Sequence, residues 1–277
     1  MVKIDKLAVI PLALAVVACG LLGPTPPPAP TATTAPSSPA PATPTSGATP
    51  LPLPPEAILV GTPGNGSRLV GTVHLDGEAE PTFEQHLVVQ VVALDEEPFA
   101  VLAQQSVIIG AEAGRRGPFT VDLDFDLSAA AERPGAINVF SVSARDGGVT
   151  HLTSIQVTLA ASGESTILPN DGVDERIAIF EPSPGAVLTG GLAHVEGFAL
   201  ASFEQTLLVE ILDVDGNVVG SMPVTVQAPD MGIPGPFAVD VPYTLAASGP
   251  GRIVVRDISV AFGQDLHLAS VDVDVEP

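Results

Sequence analysis

Tryptophan is absent from this chain of 277 residues, tyrosine and cysteine occur once each, and lysine is confined to positions 3 and 6. Each scarcity removes a class of function. With Cys19 the single cysteine, everything beyond it lacks a disulfide framework, a Cys-based metal site and a thiol nucleophile, so stability there must come from packed cores. Tyr243 alone cannot supply the aromatic platforms on which sugars stack, which counts against carbohydrate binding and against a paired-carboxylate glycosidase. Basic charge is short as well: Lys and Arg total 10 against 32 Asp and Glu, and the formal net charge is -22. Such a chain repels phosphate backbones, so no nucleic-acid partner is expected, and the acidity reads as a solvated surface. No Gly-x-Ser-x-Gly elbow occurs, so no serine hydrolase is indicated. No cofactor-binding motif occurs, and no cofactor is expected.

What is present begins with MVKIDKLAVIPLALAVVACG. Lys3 and Lys6 precede an apolar run from Leu7 to Val17 that is short for a mature membrane-spanning helix, the pattern of a secretion signal. Its end, Val16-Val17-Ala18-Cys19, resembles the lipobox of bacterial lipoproteins. The resemblance implies that residues 1–18 are a signal peptide and that the Cys19 thiol receives a diacylglycerol. It also implies cleavage between Ala18 and Cys19 to free an amino group for further acylation. Two or three acyl chains anchor a protein stably where one does not, so the expected location is the outward side of a bacterial cell membrane or outer membrane.

Residues 19–55 continue as a stalk. From Gly20 to Pro55 the chain holds 13 of the 29 prolines and no charged residue, a composition that builds no core and is expected to be disordered. Proline-rich chain favours extended polyproline II, so the stalk would reach on the order of 100 Å at about 3.1 Å per residue.

Beyond it, short β-branched runs punctuated by Gly, Pro and Asp predict strands near Ile58–Thr62, Leu69–Asp76, Gln85–Leu94, Ala100–Ile109, Phe119–Leu127, Ile137–Ala144 and Thr150–Leu159. Seven strands in about 100 residues is the size of an immunoglobulin-like sandwich. The pattern then repeats. Phe83-Glu-Gln returns as Phe203-Glu-Gln, His74-Leu-Asp-Gly77 as His194-Val-Glu-Gly197, and Gly117-Pro-Phe-Thr-Val-Asp122 as Gly235-Pro-Phe-Ala-Val-Asp240. Pro134-Gly135 returns as Pro250-Gly251 and His151-Leu152 as His267-Leu268, with offsets that drift only between 120 and 116. The fold expected is therefore all-β, a tandem duplication of one sandwich over residues 56–160 and 173–277, joined by a polar, flexible linker at 161–172. Phe83 and Phe203 are expected at strand entrances with their rings in the core, and Glu84 and Gln85 are expected to tie a neighbouring turn.

The set PxxG…G…FEQxLxVxxxD…GPFxVD…PGxIxV…HLxSxxV resembles the immunoglobulin-like domain of bacterial spore germination proteins, a domain also carried by many bacterial lipoproteins. The resemblance covers about 105 residues in each copy. It implies a β-sandwich accessory module of the cell envelope with no catalytic residues to carry over. In the first copy Asp95-Glu96-Glu97-Pro98 replaces the turn Asp213-Val-Asp215-Gly216-Asn217 of the second.

The candidate chemistry is sparse. Four histidines form the equivalent pairs His74/His194 and His151/His267, for which structural roles in turns or on strand surfaces are expected. His86, opposite Thr206 in the other copy, reads as an exposed strand residue. Asp122, Asp124 and Asp126, and likewise Asp272, Asp274 and Glu276, alternate with apolar residues, which places each set on one solvated strand face. At the junction, Asn170, Asp171, Asp174 and Glu175 are oxygen ligands that could hold Ca²⁺ between the sandwiches, or simply solvate a linker. The functional expectation is a non-catalytic, lipid-anchored envelope protein presenting its two modules to an unknown envelope protein or polymer. The alternative is an extracytoplasmic hydrolase with an acidic loop site.

Overall fold

Strict alternation in Gly117-Pro-Phe-Thr-Val-Asp-Leu-Asp124 turns Phe119, Val121 and Leu123 inward and leaves Pro118, Thr120, Asp122 and Asp124 exposed, the period-two signature of a strand with one wet face. The same logic builds the whole computed structural model, which describes residues 53–127, 132–200 and 203–277. The expected signal peptide, Cys19 and most of the stalk lie outside the described residues, as does the side chain of Phe203.

The first sandwich comprises β1 (Ile58–Thr62), β2 (Arg68–Val70), β3 (Thr72–Ala79), β4 (His86–Ala93), β5 (Ala100–Ile108), β6 (Gly117–Asp124), β7 (Glu132–Val142) and β8 (Val149–Ala160). The second repeats the order as β9 (Ile177–Glu181), β10 (Val187–Leu188), β11 (Leu192–Ala199), β12 (Thr206–Leu212), β13 (Val218–Thr225), β14 (Gly235–Pro242), β15 (Gly249–Ile258) and β16 (Asp265–Val275). The fold is thus all-β with immunoglobulin-like layering, and the predicted strands fall on observed ones with one difference. The run read as a single strand from Leu69 to Asp76 is two, because Gly71 at φ +71° breaks it. β2 then joins β8 in one sheet, and β3 joins β1 and β6 in the other.

Each copy contributes a small three-stranded sheet, in the orders β1-β3-β6 and β9-β11-β14. Their other strands form one continuous sheet ordered β13-β12-β15-β16-β8-β7-β4-β5, with β10 and β2 alongside β16 and β8. Two separate apolar cores fill the sandwiches. One includes Leu69, Leu75, Leu87, Ile137 and Leu159, the other Ile177, Leu207, Val209, Phe237 and Ile253, all essentially inaccessible to solvent. Burying each Leu or Ile contributes about 2 kcal/mol.

The duplicated motifs acquire physical reasons here. Gly77 pairs with Phe119, and Gly197 with Phe237. A Cβ on either glycine would lie 2.6 or 2.7 Å from the partner ring and closer still to a strand carbonyl, so the His-x-x-Gly and Gly-Pro-Phe motifs are two halves of one contact. His74 faces Asp122 and His194 faces Asp240 in the same ladders.

The expectation for Phe83 is corrected: its ring is 60% exposed. Glu84 and Gln85 adopt φ values of 53° and 56°, and this left-handed kink rotates Gln85 rather than Phe83 inward. The buried Gln85 amide donates to the Glu112 and Arg115 carbonyls, so the expected turn-tying role belongs to it.

Residues 161–172 are also not a free tether. The Arg68 and Gly64 amides donate to the Thr166 and Leu168 carbonyls, and the Asn170 amide donates to the Gly61 carbonyl. Arg68 adds bonds to the Ser162 and Glu164 carbonyls. The polar composition of this segment hydrogen-bonds it to the edge of the first sandwich.

Candidate functional site

The two copies meet along a pseudo-two-fold axis. β8 and β16 pair antiparallel as His151↔Ala269, Leu152↔Leu268 and Thr153↔His267, so that Leu152 faces its own repeat equivalent. A second contact obeys the same symmetry. The Glu56 amide donates to the Val173 carbonyl and the Glu175 amide to the Pro54 carbonyl, each at 2.9 Å, around the bridge Pro55↔Asp174. This is the geometry of an isologous dimer interface built within one chain.

Two faces of the junction differ. On one, Leu152, Val254 and Leu268 form a buried apolar cluster. On the other, Glu56, His151, Glu175 and His267 converge, and their ligand atoms all lie within 4.8 Å of one another. Glu56 and His151 come from the first copy, Glu175 and His267 from the second, and the members of each kind are repeat equivalents.

Within the cluster each histidine donates through Nε2 to a glutamate of its own copy, His151 to Glu56 Oε1 at 3.0 Å and His267 to Glu175 Oε1 at 2.8 Å. The crossed distances, His151 to Glu175 Oε2 and His267 to Glu56 Oε1, are 3.8 Å each. The rings meet edge to face with centroids 4.9 Å apart. Backbone amides orient both carboxylates reciprocally: Arg176 N–H donates to Glu56 Oε2 at 3.3 Å and Ala57 N–H to Glu175 Oε2 at 2.9 Å. Thr153 Oγ1 adds a bond to Glu56 Oε1 at 3.2 Å.

Burial is deep. His267 is inaccessible, and the side chains of Glu56, Glu175 and His151 are 6%, 7% and 14% exposed. His267 Nδ1 has no hydrogen-bond partner among the described residues. Burial disfavours the charged forms, yet the facing charges prevail. Glu56, followed by Glu175, holds the His151 imidazole above its ordinary range. His267, then His151 and the Arg176 amide, hold the Glu56 carboxyl below its own.

A second set of charges also crosses the junction. Arg252 of the second copy, 1% exposed, reaches Asp146 of the first at 3.2 Å and Asp272 at 3.2 Å. Burial pushes the Asp146 carboxyl up. The Gly148 amide, the Ser143 hydroxyl and the Arg252 and Arg145 guanidinium groups outweigh it and bring the group down to about 2.

The structure therefore divides the histidines expected to be structural. His74 and His194 are surface residues, each bonded through Nδ1 to a carboxylate, at 2.6 Å to Asp122 and 2.8 Å to Asp240, and His86 is exposed on β4. His151 and His267 are the heart of the junction. Of the four oxygen ligands suggested for Ca²⁺, Glu175 turns into the histidine cluster, and Asn170 donates from Nδ2 to the Val60 carbonyl and accepts from Gly172 N–H. Asp171 and Asp174 stay exposed. All four line, with Glu56, one pocket of about 240 Å³. Glu56 was not singled out from sequence, although Glu56-Ala-Ile58 aligns with Glu175-Arg-Ile177 within the offset range of the other repeats.

Two β-sandwiches joined through a symmetric junction define an all-β chain with an immunoglobulin-like domain. Residues 176–264 match the immunoglobulin-like domain of bacterial spore germination, which is not a known catalytic family. No curated protein matches the chain.

Proposed function

We propose that the chain is a lipid-anchored, extracytoplasmic protein of the bacterial envelope, whose first sandwich is a second, diverged copy of the matched domain and whose role is binding or structural rather than catalytic. The match of residues 176–264 to the spore-germination immunoglobulin-like domain carries this reading. The lipobox-like Val16-Val17-Ala18-Cys19 and the proline-rich segment that follows supply the anchor and the reach. A paired module on such a stalk suits engagement of an envelope protein or polymer, because the sandwiches present extended acidic strand faces without needing a deep cleft.

Metabolic labelling with an alkyne fatty acid tests the anchor. The unaltered chain is expected to incorporate label and to fractionate with membranes, and Cys19→Ala to do neither. Unchanged membrane association of Cys19→Ala would refute lipid anchoring. Screening the full chain against peptidoglycan, glycans and esters tests the non-catalytic part, and turnover abolished by one carboxylate substitution would overturn it.

A further inference from the structure

We propose that Glu56, His151, Glu175 and His267 form a closed binding site for one zinc-class divalent metal ion, which pins the two sandwiches together on their pseudo-two-fold axis. The donor set is two imidazole nitrogens and two carboxylate oxygens, a combination that suits Zn²⁺ and leaves no open position for a reacting water. It is independent of the membrane anchor proposed above.

Geometry carries the inference. Bonds of about 2.0 Å to a tetrahedral centre place neighbouring ligand atoms about 3.3 Å apart. The nitrogen–oxygen separations are 3.0, 2.8, 3.8 and 3.8 Å, with Glu175 facing His267 through Oε1 and His151 through Oε2, and one ligand atom from each of the four residues lies within 4.8 Å of the others. Hydrogen bonding alone explains each His–Glu pair within its own copy. The pseudo-two-fold axis brings the two pairs together, with the imidazoles 4.9 Å apart, and so gathers two nitrogen and two carboxylate donors in one buried cluster. A single dication at the centre balances the charge of the two buried carboxylates.

The surroundings of the ligands complete the case. The Ala57 and Arg176 amides and the Thr153 hydroxyl bond the carboxylates and fix their direction, as outer partners do around metal ligands. Glu56 and Glu175 also line a pocket of about 240 Å³ beside the cluster. Of the oxygen ligands suggested for Ca²⁺, Glu175 alone belongs to this donor set, while Asn170, Asp171 and Asp174 line the adjoining pocket.

The test uses the full chain, stripped with a chelator and dialysed against Zn²⁺, Ca²⁺ or neither, with metal content measured by elemental analysis and unfolding followed by circular dichroism. One equivalent of zinc is expected, with a rise in melting temperature that Ca²⁺ does not reproduce. Glu56→Gln/Glu175→Gln preserves side-chain volume and is expected to lose the zinc and the rise together. Because a variant could misfold, Co²⁺ added to the unaltered chain supplies a second readout: the intense visible absorption of a tetrahedral centre, displaced by one equivalent of Zn²⁺. Failure of the folded chain to retain zinc above background, equal zinc in the double variant, or a Co²⁺ spectrum of octahedral type would each overturn the site.

Discussion

His74 and His194 on the outer strand faces, and His151 and His267 at the junction, are alike in sequence: each is a histidine kept at the same place in both copies. In the structure they have little in common. The outer pair sits in water, each ring against one exposed aspartate, where an ion pair contributes roughly 0–1 kcal/mol. The inner pair is withdrawn from solvent, and there any unmatched charge is costly. Both pairs recur in the repeat, but only the inner pair meets at the junction. A residue near the pseudo-two-fold axis meets its own counterpart, so one Glu–His pair in each sandwich becomes a four-group cluster without any new residue type.

The largest expected effect comes from removing the symmetry partner. Residues 173–277 produced alone expose the β16 edge and Leu268 and deprive Arg252 of Asp146, so self-association or loss of solubility is expected in size-exclusion chromatography with light scattering. A monomer as stable as the same sandwich in the full chain would instead make the junction dispensable and restore the picture of two independent modules.

Asp146→Ala should cost about 3 kcal/mol in denaturant unfolding, because it strips a partner from the buried Arg252 while Asp272 remains. The same group gives a pH signature. Its folded pKa of about 2 lies below the ordinary 3.8, so its contribution is complete above about pH 4 and fades as pH falls through 2. Asp146→Asn should lack that component, and identical acid titrations of the two proteins would contradict the assignment.

Gln85→Ala is expected to destabilise by about 1 kcal/mol, since two carbonyls lose their donor at a left-handed kink in one copy only. His74→Ala should change stability by no more than about 0.5 kcal/mol. On the same outer face, Asp240→Asn should lower the pKa of His194 toward its ordinary value, because the Asp240 bond is the main cause of its elevation. Proton NMR of the His194 ring reads this directly, and an unchanged midpoint would mean that the pair does not persist in solution.

Much of the fold was legible because strands announce themselves by period two and the duplication doubled every signal. Gly77 with Phe119 was visible as two motifs, though not as one contact, since the residues lie on different strands and only the ladder register joins them. The kink at Glu84 and Gln85 was hidden because neither residue type suggests positive φ, so the apolar ring of Phe83 was assigned to the core by its chemistry. Glu56 stood against the last proline of the stalk and read as its boundary.

By itself the sequence determined the strands, their wet and dry faces, the repeat and the match of residues 176–264, because each depends on local spacing or on side-chain type. Tertiary structure alone decided that the copies share one sheet, that the segment between them is strapped down, and that Glu56, His151, Glu175 and His267 occupy one buried site. Spacing along a chain specifies which face a residue occupies. Only the pairing of β8 with β16 sets which faces meet, and that pairing lies between residues more than a hundred positions apart.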